Sequence, residues 1–219
     1  MAELFIISSL SQLIDLIENR IYVEKLKINI NENINRCLRN LPHLKFLYFY
    51  DYYEQSTDFS LLVNLEYLKF GDGYNQQTDL SSNINLTYLH FGNQYNQPTN
   101  FLHLVNLRHL EFGWDYNQPT NLKKCMNLEY LSFCENFNKL IDLTNCINLR
   151  HFEFGTRYNQ ITDLSKCVKL EILKYVSPYP FNSLEHVIDL TQCVELRHVK
   201  GLSDKQIIGL TEKSTFYYP

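Results

Sequence analysis

The residues best suited to chemistry recur at a fixed interval. His109 precedes Glu111 by two positions, and His151 precedes Glu153 in the same way two periods of 21 residues later. His90 lies one period before Glu111. An imidazole beside a carboxylate can relay a proton or help to hold a metal ion. Cys125, Cys146 and Cys167 follow one another at the same period, and Cys193 continues the row after a longer step. Asn75, Asn96, Asn117, Asn138 and Asn159 make a third periodic set, of amides that can both donate and accept hydrogen bonds.

The elements that must position these groups are equally periodic. Leu65, Leu86, Leu107, Leu128, Leu149 and Leu170 each open a block reading Leu-x-x-Leu-x-Phe or a close variant. A fixed period in this range marks a solenoid, in which each unit buries its apolar face only by stacking on its neighbours. In Arg108 to Phe112 apolar and polar residues alternate, so Leu110 and Phe112 point inward while His109 and Glu111 point out. Each block therefore supplies one short strand, and stacked blocks make a parallel sheet with a buried and a wet face. Gly71, Gly92, Gly113 and Gly155 follow the strands and are read as turn residues. The recurring Asn is expected to point inward, as a structural ladder satisfying backbone groups. Asp or Asn before Leu80, Leu122, Leu143, Leu164 and Leu190 caps a predicted single helical turn on the far wall.

Spacing weighs against the more reactive readings. At about 4.8 Å per strand, His109 and His151 lie roughly 10 Å apart, too far to share a zinc ion with bonds near 2 Å. His90 reaches His109 only diagonally and no third ligand is evident, so no metal site is expected. The cysteines read as small apolar side chains in the core, free thiols of a reducing compartment. No Ser-His-Asp order, glycine-rich phosphate loop or paired-carboxylate motif is recognisable, and the chain is not expected to be an enzyme or to use a cofactor.

These residues resemble a known family. The Leu-x-x-Leu-x-Phe strand resembles the leucine-rich repeat, and Phe-Gly-x-x-Tyr-Asn-Gln-Pro-Thr at 91–99 and 112–120 resembles the FNIP repeat, with Tyr for the usual Phe and Thr for Ile. The resemblance spans about residues 44–175. It implies an α/β leucine-rich-repeat-like solenoid with a parallel sheet on the concave face and short helical turns or irregular segments on the other. FNIP repeats are typical of social amoebae and of giant viruses of amoebae, and their proteins often carry an F-box that ties substrate recognition to ubiquitin ligases. Here the first coil occupies the place of such a box.

The register extends past that span. Stepping back 21 from Leu68 and Phe70 gives Leu47 and Phe49, then Leu26 and Ile28, then Phe5 and Ile7. One domain over 1–219 is expected: an N-terminal cap and first coil over 1–22, regular coils over 23–176, an inserted loop over 177–183, and a last coil and C-terminal cap over 184–219. Ser9-x-x-Gln12 reads as a capping box opening a helix with Leu10, Leu13, Ile14 and Ile17 toward the core. Leu202 to Leu210 is read as a closing helix with Ser203 and Gln206 at its start, and Phe216 to Tyr218 as a tail over the last coil.

The wet face carries the expected site. Phe46, Tyr67, Tyr88, His109, Tyr130 and His151 line up as a stripe of rings, and Lys69, His90, Glu111 and Glu153 stand beside them. Rings with polar tips are enriched at protein interfaces, so the expected function is non-enzymatic binding of a protein partner on this concave face. The alternatives are the recognition part of a ubiquitin-ligase-type assembly and a self-associating structural protein. A net charge of −4 with scattered cations argues against nucleic acid. The sequence shows neither a signal peptide nor a membrane span, and no small-molecule substrate is indicated, so an intracellular, cytoplasmic location is expected.

Overall fold

The computed structural model describes residues 3–176, 186–210 and 214–217. Strands β1 (Leu4–Ile7), β2 (Lys25–Ile28), β3 (Phe46–Phe49), β4 (Tyr67–Lys69), β5 (Tyr88–His90), β6 (His109–Glu111), β7 (Tyr130–Ser132), β8 (His151–Gly155) and β9 (Ile172–Val176) follow one another in space as in sequence. After β10 (Ile188–Asp189), strand β11 (His198–Lys200) pairs with β9, β12 (Ile207–Ile208) pairs with β10, and β13 (Thr215–Tyr217) pairs with β11. The result is an eleven-stranded, wholly parallel sheet and a two-stranded one. Register is fixed at 21: Leu68 pairs with Leu89, Leu89 with Leu110 and Leu110 with Leu131. The 26-residue step is absorbed before β11, because Val199 still meets Leu173.

Alternation gives each strand its buried side. Leu68, Leu89, Leu110 and Leu131 are wholly buried, and the flanking residues are half-exposed apart from Ser132, which is buried. Behind the sheet, Phe49, Phe70, Phe91, Phe112 and Phe133 stack at 5.2–5.6 Å with nearly parallel planes. A second row, Tyr53, Tyr74, Tyr95, Tyr116, Phe137 and Tyr158, runs beside it at 5.8–6.3 Å. Stacked and offset rings at these separations attract beyond the area they bury.

This second row corrects the expectation for the Asn set. The tyrosine, one position earlier, is the residue that points in; Asn75 and Asn138 are exposed and Asn96, Asn117 and Asn159 half-buried. The asparagines still tie coil to coil: Oδ1 of Asn75, Asn96, Asn117 and Asn138 accepts the backbone N–H of the next asparagine in the row, each at 3.0 Å. The ring displaces the amide from the core because burying it removes far more apolar area from water. Its hydroxyl finds a partner four residues on, as Tyr53 with Thr57, Tyr74 with Thr78, Tyr116 with Thr120 and Tyr158 with Thr162 at 2.5–3.1 Å, and Tyr95 with Thr99. Where the ring is Phe137, the partner position is Ile141, buried and apolar. The two positions change together because a buried hydroxyl without a partner costs more than replacing the pair by apolar groups.

Three other expectations change. The far wall makes one short helix in an early coil, over Asn35–Leu38, but residues 58–64 and the equivalent described stretches of later coils are irregular, each making two successive turns such as Cys125 N–H to Leu122 O and Leu128 N–H to Cys125 O. The Asx oxygens do cap them: Asp79 accepts from the Ser81 N–H and Asp163 from that of Ser165. In these later coils the short wall closes in turns, since so few residues gain few helical hydrogen bonds for the dihedrals they fix. Gly92 is required by proximity, since a Cβ there would stand 2.1 Å from the Gly71 carbonyl oxygen of the previous coil. The closing helix shrinks to a 3-10 turn over Asp204–Gln206, capped by Ser203 and Gln206, before β12. The C-terminal segment extends the main sheet as β13 where a cover over the last coil was expected.

The N-terminal helix α1 (Leu10–Glu18) forms, with Leu13 buried and Leu10 and Ile17 packed on the core, while Ile14 is exposed. Ser9 accepts from the Gln12 N–H, and Gln12 Oε1 accepts from the Ser8 N–H instead of the cap residue's own. The expected loop over 177–183 lies outside the described residues.

A second asparagine row stands immediately before the strands. Nδ2 of Asn64, Asn85, Asn106, Asn127 and Asn148 donates to the carbonyl of Pro42, Val63, Ile84, Val105 and Met126 in the preceding coil, at 2.8–3.0 Å. The Asn that precedes Leu65, Leu86, Leu107, Leu128 and Leu149 is its sequence signal.

The Tyr/Thr pairing can be tested at coil 116–120. Thr120→Val should lower stability by about 1–3 kcal/mol by orphaning the Tyr116 hydroxyl. Tyr116→Phe with Thr120→Val should recover most of that loss in urea unfolding. Additive losses from the two substitutions would show that the hydroxyls are not coupled.

Candidate functional site

The wet face of β3 to β8 brings the expected rings together. Tyr67, Tyr88, His109, Tyr130 and His151 form one continuous stack with centroids 4.1–4.4 Å apart. That is closer than the strand spacing of roughly 4.8 Å, so the rings lean to touch. Phe46 joins at 6.1 Å with a tilt of 34°, and Lys25 Nζ stands 4.8 Å over its ring. Inside the stack both faces of every ring are covered by neighbours. What solvent meets is a row of edges, hydroxyls and ring nitrogens.

Beside the stack, Glu111 organises two histidines. His90 Nδ1 lies 3.1 Å and His109 Nε2 3.3 Å from the same oxygen, Glu111 Oε2. The His109 hydrogen bond foremost, and then the close His90 imidazole, hold the Glu111 carboxyl well below the usual carboxylate range, against the opposing effect of burial. One coil pair further, His151 Nε2 is 3.0 Å and Lys174 Nζ 3.5 Å from Glu153 Oε2. Burial there pushes Glu153 up, but the His151 hydrogen bond and the Lys174 charge outweigh it and leave the carboxyl below its ordinary value. Lys69 is half-buried in the same row, paired in register with Tyr48 and His90. The phenols of Tyr67 and Tyr130 are raised by burial first, Tyr130 to about 12, so both remain protonated donors at neutral pH.

The groups gathered here can donate and accept hydrogen bonds and carry charge. In the Glu111 cluster both ring nitrogens lie within 3.3 Å of one carboxylate oxygen. Among the described residues no group of three or more His, Cys, Asp or Glu is disposed to hold a metal ion.

The cysteine row lies on the opposite side of the core. Cys125, Cys146, Cys167 and Cys193 are buried free thiols, and burial pushes the first three up to about 12 and Cys193 to about 11. Their row also holds Asn83, which donates to the carbonyls of Phe59 and Leu62 as Cys125 Sγ faces that of Phe101 at 3.8 Å. A weak donor is therefore part of why cysteine suits this position, beyond its small size.

The solved structure of CroV588, a circular leucine-rich repeat protein, matches with a TM-score of 0.62 and 21% identity over 88% of this chain and 33% of its own. This chain thus spans about a third of that structure's length. Two internalins of Listeria monocytogenes align less closely: InlF at TM-score 0.46, with 18% identity over 75% of this chain and 55% of its own, and InlC2 at 0.45, with 21% over 84% and 74%. No protein-family model and no curated protein matches the chain. The fold is a parallel β-solenoid of the leucine-rich-repeat type. Among the described residues no helix is long and apolar enough to cross a membrane.

Two outcomes follow. Glu111→Gln should destabilise the protein at pH 7 by about 1–2 kcal/mol, the scale of a partly exposed charged hydrogen bond. Because the folded carboxyl is depressed, its contribution is complete above the ordinary carboxylate range and fades as pH falls below it. The gap between wild type and variant should therefore close from pH 5 toward pH 2 in thermal melts; a gap independent of pH would contradict the pairing. Separately, the four core thiols should resist alkylation at pH 8 in the native protein and react once it is unfolded, whereas prompt native labelling would contradict their burial.

Proposed function

We propose that this chain is a non-enzymatic recognition module that binds a protein partner along the Tyr67 to His151 stack. The observation that carries the reading is the stack itself: rigid rings whose faces are used internally and whose hydrogen-bonding edges form an ordered, half-buried row. Such a surface loses little side-chain freedom on binding, since packing has already fixed the rotamers. Its edges suit the carbonyls, amides and carboxylates of a protein surface. They suit stacking ligands such as nucleobases poorly, because no inner ring offers a free face.

The FNIP-type assignment belongs to the same proposal. Phe137-Asn138 with Ile141 follows the Phe-Asn-x-Pro-Ile pattern apart from Leu140 in place of Pro, and the Tyr/Thr coils are its hydrogen-bonded equivalent. Leucine-rich-repeat solenoids offer an extended surface of this sort by construction.

The test is the Tyr67/Tyr88/Tyr130→Phe triple variant, which removes three hydroxyls and keeps the rings. Capture from amoeba lysate beside wild type, followed by titration of the recovered partner, should show unchanged melting of the module and at least about tenfold weaker binding. Full retention of affinity by the variant would sink the assignment of this face.

A further inference from the structure

A row of exposed aliphatic side chains runs along the solenoid away from the ring stack. Val63, Ile84, Val105, Met126, Ile147 and Val168 occupy one position of six consecutive coils, two residues before the leucine that opens each block, and each is 41–51% exposed. Val194 continues the row after the longer step, at 63%. The coil-to-coil period thus maintains an apolar ridge in water, where alternation elsewhere places polar groups.

The ridge is built to be dried. In its first half, the carbonyls of Val63, Ile84, Val105 and Met126 already accept Nδ2 of the second asparagine row. Covering these positions therefore strands no backbone acceptor, which removes the usual penalty for burying an irregular segment. The seven side chains together expose on the order of 600 Å². Leu61 and Leu102, 57% and 39% exposed, lie two and three residues before the ridge in their coils.

The repeat selects the occupant. The knobs recur at one strand spacing, roughly 4.8 Å, over about 30 Å. An α-helix, with a pitch of 5.4 Å, drifts out of step by roughly 3–4 Å over that length. A second copy of this chain carries a ridge of the same repeat and meets it knob for knob. Two ridges would bury about 1,200 Å², the lower end of what stable specific interfaces use. We propose that the ridge is a self-association surface, joining two copies of the chain along their aliphatic rows. This surface is separate from the ring-lined face and leaves it open.

Sedimentation velocity of the full chain from 1 to 100 µM decides the matter together with two variants. Wild type should pass from monomer to dimer across that range, and Val105→Asp with Ile147→Asp should weaken dimerisation by at least about a hundredfold while its melting stays near that of wild type. Met126→Cys, which keeps the ridge, should give a covalent dimer on mild oxidation and so tests the contact even if the Asp variant folds poorly. A wild type that stays monomeric throughout, or a dimer that survives the Asp variant, or one that never cross-links through position 126, overturns the proposal.

Discussion

Everything in this molecule depends on in-register pairing of each coil with the next. Once Leu68 pairs with Leu89 and Leu89 with Leu110, every position of the repeat becomes a row, and each residue's nearest neighbour is its own counterpart one coil away. A residue type is acceptable at a position only if it tolerates a like residue at roughly 5 Å. Phenyl and phenol rings do so by stacking. Asparagine does so because one amide can accept from the next coil's backbone or donate to the previous one. Identical charges repel there, as Asp142 does Asp163 one coil on, and the row at the strand entrances shows how alternation avoids that. Glu24, Lys45 and Glu66 alternate in sign, with Lys45 bonded to both acids, and Arg108 pairs with Glu129 as Arg150 does with Glu171. Exposed pairs of this kind add little to stability. Their importance is that a stack slipped by one coil would set like charges together.

The same constraint shapes the candidate binding face. Rows of self-compatible groups give a surface of stripes, and a stripe of rings becomes a stack with its faces spent internally. The histidines enter that stack as flat rings equivalent to tyrosine. Their second role, anchoring Glu111 and Glu153, fixes two carboxylates that would otherwise be mobile on the open sheet.

Much of this was legible in the sequence because period and alternation are direct readouts of coil and strand. The strands, their register back to Phe5 and Ile7, the capped first helix and the burial of the cysteines needed no more than spacing. The inward residue of the turn was misjudged between two adjacent periodic positions, Tyr116 and Asn117, and only the Thr120 partner, four residues on, distinguishes them. On the far wall an Asx cap opens a β-turn and a helix alike, so the cap residues alone left both open: turns follow Asp79 and Asp163, and a short helix forms at Asn35–Leu38. The convergence of His90 and His109 on one Glu111 oxygen depended on ring orientation across neighbouring strands, which spacing along one chain does not encode.

Distance measurement between coils tests the in-register stack most directly. Spin labels at the exposed positions Ser60 and Ser165 span five coils, and Ser60 and Thr191 span six. Pulsed electron paramagnetic resonance should give roughly 24 Å for the first pair and about one strand spacing more for the second. The 26-residue step would then add no more length than a 21-residue one. A second distance that fails to exceed the first by about one spacing, or a first distance far from five spacings, would contradict the register on which the rows, the ring stack and the ridge all rest.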